Sequence, residues 1–332
     1  MISRSLRSAV ALGVVVATAF AAPNAAAAPG PVRSGASAAA TATRLSLTAG
    51  PTFAGCPVLP ANSAFNTPIA TSAVRPESAA VIANTSNSGG SFAHGTLQFG
   101  FWSNPLSGIQ PIVVPSSQQP VPITYDLYGD ESDPGPFPIP LDAPLEADSD
   151  HHLVVVQQGT CQLYELFGAH RSANGWYAAS GAHWDLTSNT ARPARWTSAD
   201  AAGLPIFPGL LRPDEVLGGQ VRHALRVTVG RASSMYISPA NHANAADPRS
   251  GYLPMGARLR LRSDYDISGF TGQARVIAQA LKTYGLIVAD IGPTWSIDGV
   301  GDTRWDDRNL DQIRAISASA LEYVDTGQPI AY

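Results

Sequence analysis

The sequence predicts a mainly β fold: an antiparallel β-sandwich, jelly-roll-like, with a small C-terminal α/β portion. Three observations carry this expectation. The 332 residues include 30 glycines and 27 prolines, a content that suits turn-rich β architecture better than long helices. Residues 152–167 read as a hairpin, His152-Leu-Val-Val-Val-Gln157 and Thr160-Cys-Gln-Leu-Tyr-Glu-Leu-Phe167 around Gln158-Gly159. Val221–Val229 and Ala257–Arg262 alternate apolar and polar side chains with the period of a strand.

The elements follow in order. Arg4 and Arg7 precede an apolar run from Ala9 to Ala22 and small residues at Ala25–Ala27, so residues 1–27 are expected to be a secretory signal peptide. That run is too short for a comfortable membrane span, and no later stretch is long enough. Residues 28–50 are Ala-, Ser-, Thr-, Gly- and Pro-rich and read as a flexible lead-in. Residues 51–332 show no linker and read as a single β-rich globular domain. Its only cysteines, Cys56 and Cys161, are expected to bond outside the cell, tying the start of the domain to a central strand. Closing so long a loop stabilises by up to about 4–5 kcal/mol in the chain-entropy account.

Val121–Tyr128 reads as a strand by its β-branched and aromatic content. The segment 126–150 holds eight acidic residues, no basic one, and alternating Pro134, Pro136, Pro138 and Pro140, so it must be an extended loop. A Ca²⁺ site there is weighed and not favoured, because the glycine and distal glutamate of an EF-hand are missing. In the hairpin, a two-residue turn would oppose Val156 to Cys161, Val154 to Leu163 and His152 to Glu165 on one face. Gly175–Leu186 continues as strand, with His183 and Asp185 on a common face. Ser198 is expected to cap a short helix with Asp200 in its first turn. Val221, His223, Leu225, Val227 and Val229 share one strand face, and Arg222 and Arg226 the other. Gly272–Tyr284 reads as a helix stopped by Gly285, Leu286–Asp290 as a strand, Asp306–Ile316 as a second helix and Leu321–Asp325 as a last strand.

Function is constrained first by exclusion. Formal net charge is −4, about −6 without Arg4 and Arg7, which argues against nucleic acid as a partner. Lys282 is the sole lysine. There is no G-x-S-x-G, H-E-x-x-H, paired C-x-x-C, P-loop or dinucleotide fingerprint. What remains is carboxylates and histidines on apolar strand faces. Glu165, between Leu163 and Phe167, would have its pKa raised by burial and suit a general acid. Glycoside hydrolysis needs a second carboxylate, and Asp185 is the expected nucleophile or base. His152 would tune Glu165, while His223 and His242 would line the cleft. Glu215 and Asp200 stand in reserve. Arg222, Arg226, Trp184 and Glu215 form the expected substrate-binding set. Arg258, Arg260 and Arg262 make a cationic row, read as a groove for acidic polysaccharide or as a solvated outer face.

The runs DESDPGPFPIP (130–140), CQLYELF (161–167), TSADAAGLPIFPGL (197–210), RHALR (222–226) and ISPANH (237–242) resemble a group of secreted bacterial proteins with no settled activity. The likeness spans Phe65 to Thr326. It implies an extracellular single domain and assigns no catalytic residue. His183 stands where that group is expected to carry an apolar residue.

These readings converge on a secreted carbohydrate-active enzyme that cleaves a cell-wall or environmental polysaccharide by carboxylate acid/base chemistry, as hydrolase or lyase, with no cofactor and no metal. The alternative is a non-catalytic secreted protein that binds glycan or cell wall. A peptidase or peptidase inhibitor is a third, weaker option.

Overall fold

In the computed structural model, which describes residues 50–88, 90–243 and 251–332, the apolar run of the expected hairpin becomes the middle layer of a mainly β protein. The expected signal peptide, and the lead-in up to residue 49, lie outside the described residues. Strands β1 (Gln98–Phe99), β2 (Pro111–Val114), β3 (Ile123–Tyr125), β4 (Leu153–Gln157), β5 (Gln162–Phe167), β6 (His170–Arg171), β7 (Trp176–Ala178) and β8 (Ser180–Asp185) build the first half. Strands β9 (Leu225–Val229), β10 (Arg258–Leu261), β11 (Leu286–Ile291), β12 (Ser296–Ile297) and β13 (Leu321–Val324) build the second. Helices α1 (Ser78–Ser86), α2 (Pro213–Leu217), α3 (Gly272–Thr283) and α4 (Asp307–Leu310) complete the elements that bear on the site.

The four-stranded sheet β8-β5-β4-β2 is covered on both faces. Val154, Val156, Leu163, Ala182 and Trp184 join the main core, which also holds Leu225, Val227, Leu259 and Leu286 of the six-stranded sheet β13-β10-β11-β9-β12-β1. Leu153, Val155 and Leu166 point the other way, into a second core with Phe137, Ile139, Trp176 and Ala178. This is why Leu153–Val156 carries four apolar residues in a row instead of alternating.

The sheets are mixed. β2 runs parallel to β4, β3 to β7, β11 to β9 and β1 to β12. Strand alternation reports burial and says little about pairing direction. The expected C-terminal α/β portion is not a separate cap, because β10, β11 and β13 enter the same sheet as β9. α3 ends as expected: Tyr284 caps it and Gly285 takes φ +68°. The second helix is shorter than expected, α4 passing into a 3₁₀ turn over Asp311–Ala315. No helix forms at Ser198; its Oγ accepts from the backbone N–H of Asp200 at 2.9 Å in a tight turn. α1 lies in a stretch where the sequence suggested only short apolar pieces.

The hairpin register also differs. Val156 opposes Leu163 and Val154 opposes Glu165. The connection spans residues 158–161, with Gly159 and Cys161 at positive φ. A shift of two residues keeps every side chain on its expected face. Cys56 and Cys161 are bonded, so the staple closes on this connection and not within a strand.

Candidate active site

Arg226 organises the polar centre. On β9 it points opposite to Leu225 and Val227, and it is 3% exposed. Its Nε and Nη2 donate to Asp200 Oδ2 and Oδ1 at 3.0 and 2.8 Å, a two-point fork of the kind that grips a carboxylate. Nη2 also reaches Asp290 Oδ2 at 3.1 Å, and Nη1 donates to Asp298. Backbone pairing brings the acids in. Asp290 stands opposite Thr228 across the parallel β9/β11 pair, and Asp298 follows β12, which runs antiparallel to β9. Asp200 comes from the turn after Ser198 and is fully buried.

Three carboxyls around one guanidinium leave excess negative charge in a desolvated place, so the cluster retains a proton. Burial, then the Asp200 charge beside it, pushes the Asp290 pKa well above the usual carboxylate range, against the pull of Arg226. Burial also lifts Asp298, to about 6, with Arg226 opposing.

The Asp290 side chain keeps 21% of its surface exposed. It forms, with Asp200, one wall of a cavity of about 390 Å³ that is also lined by Glu131, His242 and Tyr332. His242 Nδ1 is 2.6 Å from the Ala201 carbonyl, which fixes that nitrogen as the donor. Its Nε2 lies 3.7 Å from Glu131 Oε2. Tyr332 packs edge-on against the imidazole, ring centroids 4.7 Å apart. Glu131 is held by the Thr197 N–H at 2.9 Å. Tyr128 and Phe167 add aromatic surface.

Several expected residues lie elsewhere. Glu165 is buried as expected, and burial raises its pKa to about 7 against two backbone donors, Ile206 N–H at 2.9 Å and Phe207 N–H at 2.8 Å. It is not part of the cavity wall. Asp185 is exposed and caps its own turn, accepting from Thr187 N–H at 2.8 Å. Glu165 pairs with Ala182, whereas Asp185 is three residues on and faces the other way. The Glu165/Asp185 pair is therefore not formed. His152 packs its ring against Phe167, 5.7 Å between centroids, instead of lying across from Glu165. Its Nδ1 is 2.7 Å from Glu146 Oε2 and its Nε2 3.2 Å from the Ala199 carbonyl. Burial works against a charge on His152, but the Glu146 carboxylate outweighs it and the pKa is raised.

His223 is fully buried, its Nε2 3.0 Å from Glu215 Oε2 and 3.2 Å from Arg212 Nη2. Glu215 is thus engaged in a closed internal trio with His223 and Arg212. Trp184 is buried beneath the Arg192 guanidinium, and Arg222 is half-buried. Neither lines the cavity. The cationic row is broken up. Arg260 is buried on Glu322 and the carbonyls of Ile69, Ala70 and Ser72; Arg258 is buried; Arg262 is exposed on Asp264.

In the acidic loop, Asp133 is tied to Arg192, Glu131 to Thr197 and Glu146 to His152. Among the described residues no three His, Cys, Asp or Glu side chains are grouped to hold a metal ion. Of the residues singled out from sequence, the cavity brings together His242 and the reserve Asp200, with Arg226 behind them. Asp290 and Glu131 were missed as site residues. The available signal was an acid inside the apolar run Leu-Ile-Val-Ala-Asp-Ile, matched by a base inside Leu-Arg-Val-Thr-Val. All five quoted runs meet here: four supply Glu131, Asp200, Arg226 and His242, and CQLYELF brings Phe167.

No protein-family model, curated protein or solved structure matches this chain.

Proposed function

We propose that the protein is an exported hydrolase of polysaccharide in which Asp290, rather than Glu165, is the general acid. The observation that carries this reading is the placement of Asp290, crowded against Asp200 on the Arg226 guanidinium and with its pKa raised by burial, at the wall of a cavity that Glu131 and His242 also line. A carboxylic acid kept protonated beside an ionised partner is the arrangement that acid catalysis of glycoside cleavage uses. Asp290 gives its proton to the leaving glycosidic oxygen as the C–O bond breaks. Glu131, steadied by Thr197 and adjacent to His242, takes a proton from the water that attacks the sugar carbon; Glu131 then releases that proton to solvent and Asp290 regains one from it, so no net proton is consumed. Asp200 has both carboxylate oxygens held in the Arg226 fork and no exposed surface, which leaves it no oxygen to activate a water. The second catalytic carboxylate is therefore assigned to Glu131 and not to Asp200. Tyr128, Phe167 and Tyr332 suit the apolar faces of sugar rings. A wall made of three acids disfavours an anionic substrate, so neutral glycan is the expected class. The disulfide supports an oxidising compartment; among the described residues no helix is long and apolar enough to cross a membrane.

The test is release of reducing ends from a panel of neutral glycans. Asn is isosteric with a protonated Asp and its Oδ1 still accepts from Arg226, so Asp290→Asn should fold with an unchanged Tm while turnover falls about 10²–10⁴-fold. Turnover by the variant at the wild-type rate would remove Asp290 from catalysis.

A second reading, glycan binding without turnover, is favoured by one feature: Arg226 neutralises the acids as a purely structural ion cluster would. Retention on insoluble wall material together with no product from any glycan would select it.

A further inference from the structure

A second and larger cavity, of about 560 Å³, shares no lining residue with the acid cavity. Its charged wall residues are Arg192, Asp325 and Arg258. Arg192 is neutralised by Asp133, and Asp325 accepts from Arg75 Nη2 at 2.8 Å. Arg258 has no such partner. It is 2% exposed, Nη1 donates to the Ala64 carbonyl, and Nη2 donates to the Tyr284 carbonyl at 2.7 Å. Nε has no hydrogen-bond partner, and no carboxylate pairs with this guanidinium among the described residues. Tyr284 is the C-terminal cap of α3, whose partial negative charge offsets only part of a full cation. Desolvation without a counter-charge lowers the Arg258 pKa to about 10. A buried ion normally has a charged partner, so one that lacks it at a cavity wall marks where an anion is missing.

The rest of the wall says what kind of anion. Asn62, Ser188, Asn189 and Thr190 line the opening with amides and hydroxyls, and Asn189 Nδ2 donates to Asn62 Oδ1 at 2.9 Å across it. These are the neutral donors and acceptors that sugar hydroxyls use. Two of the five N–H groups of Arg258 are engaged, on the Ala64 and Tyr284 carbonyls, and Nε is unpaired; one fixed guanidinium with free donors matches the single charge and the two oxygens of a carboxylate.

We propose that the Arg258 cavity binds a carboxylate-bearing sugar, a uronate, separately from the acid cavity and independently of catalysis there. The carboxylate supplies the countercharge that Arg258 lacks, and the Asn62/Asn189 rim takes the hydroxyls.

The test is calorimetric titration of the full chain with trigalacturonate and with the neutral galactose trisaccharide of the same linkage, at 20 mM and 200 mM NaCl. The acidic trimer should bind at least tenfold more tightly than the neutral one, and less tightly at the higher salt. Arg258→Gln should abolish the preference. Because that variant alters a buried group, Thr190→Trp, which fills the cavity from its exposed rim, should abolish binding in an intact fold. Equal affinity for the two trimers, no binding of either, or acidic binding unmoved by Thr190→Trp would overturn the inference. Binding is read without turnover, so an active hydrolase that ignores uronate refutes this site alone, and a uronate binder that cleaves nothing refutes only the catalytic reading.

Discussion

Glu165 and Glu215 are both largely withdrawn from water, yet their acidities move in opposite directions. Glu165 has only neutral backbone donors, so burial dominates and it ionises near 7. Glu215 faces two basic side chains; burial opposes the charge, but Arg212 and then His223 bring it down to about 2. The stability consequences are opposite. The unfolded chain ionises Glu165 near 4.5, so between 4.5 and 7 the folded state holds more protons and stability falls as pH rises. This costs about 3 kcal/mol by neutral pH. Glu215 gives stability that is present above 4.5 and lost as pH falls towards 2. Glu165→Gln should therefore lower Tm at pH 5, where one backbone donor loses its acceptor, and flatten the decline between pH 5 and 7. A slope equal to wild type in thermal scans across that range would contradict the assignment. The burial of Glu165 was legible from its apolar neighbours in the strand. The failure of Asp185 as its partner was not, because sequence gives the face of a residue within a strand but not what another segment lays over that face.

Among the elements, the hairpin shows what turn chemistry leaves open. Gln-Gly reads as a two-residue turn, but the chain uses four residues, and Cys161 adopts positive φ within them. The disulfide to Cys56 holds this connection. The displacement is even, so the inward set survived while its cross-strand partners changed. His152 consequently lost Glu165 and gained Glu146, an acid from the proline-rich loop that no local pattern connects to it. The end of α3 was legible because Gly285 is needed for two reasons. It takes φ +68°, and a Cβ there would lie 1.9 Å from the Leu259 carbonyl oxygen. Gly285→Ala is expected to destabilise by about 2 kcal/mol or more, read as a lowered urea midpoint with unchanged slope. A midpoint within error of wild type would show that β10 moves aside without cost.

For the molecule as a whole, alternation and glycine/proline content gave the β class, and the cysteine pair gave the staple. Pairing direction was not legible. The paired residues of β9 and β11 are 61 or 62 apart in sequence, and the strands run parallel with a register shift after Val227. That pairing, invisible in either strand alone, is what carries Asp290 to Arg226. The disulfide joins residues 105 apart, and its loss should cost about 4–5 kcal/mol, a fall in Tm on the order of 10 °C. Calorimetry with and without reductant measures it, and a Tm unmoved by complete reduction would refute the contribution. Everything proposed about catalysis rests on the proton held at the β9/β11 junction. The most direct measurement is the infrared carbonyl stretch of protonated carboxyl groups at neutral pH, recorded for wild type and for Asp290→Asn. Glu165, which ionises near 7, contributes to that absorption in both proteins; the account predicts a further protonated-carboxyl component in the wild type that Asp290→Asn removes. Identical spectra would mean that Asp290 carries no proton to give.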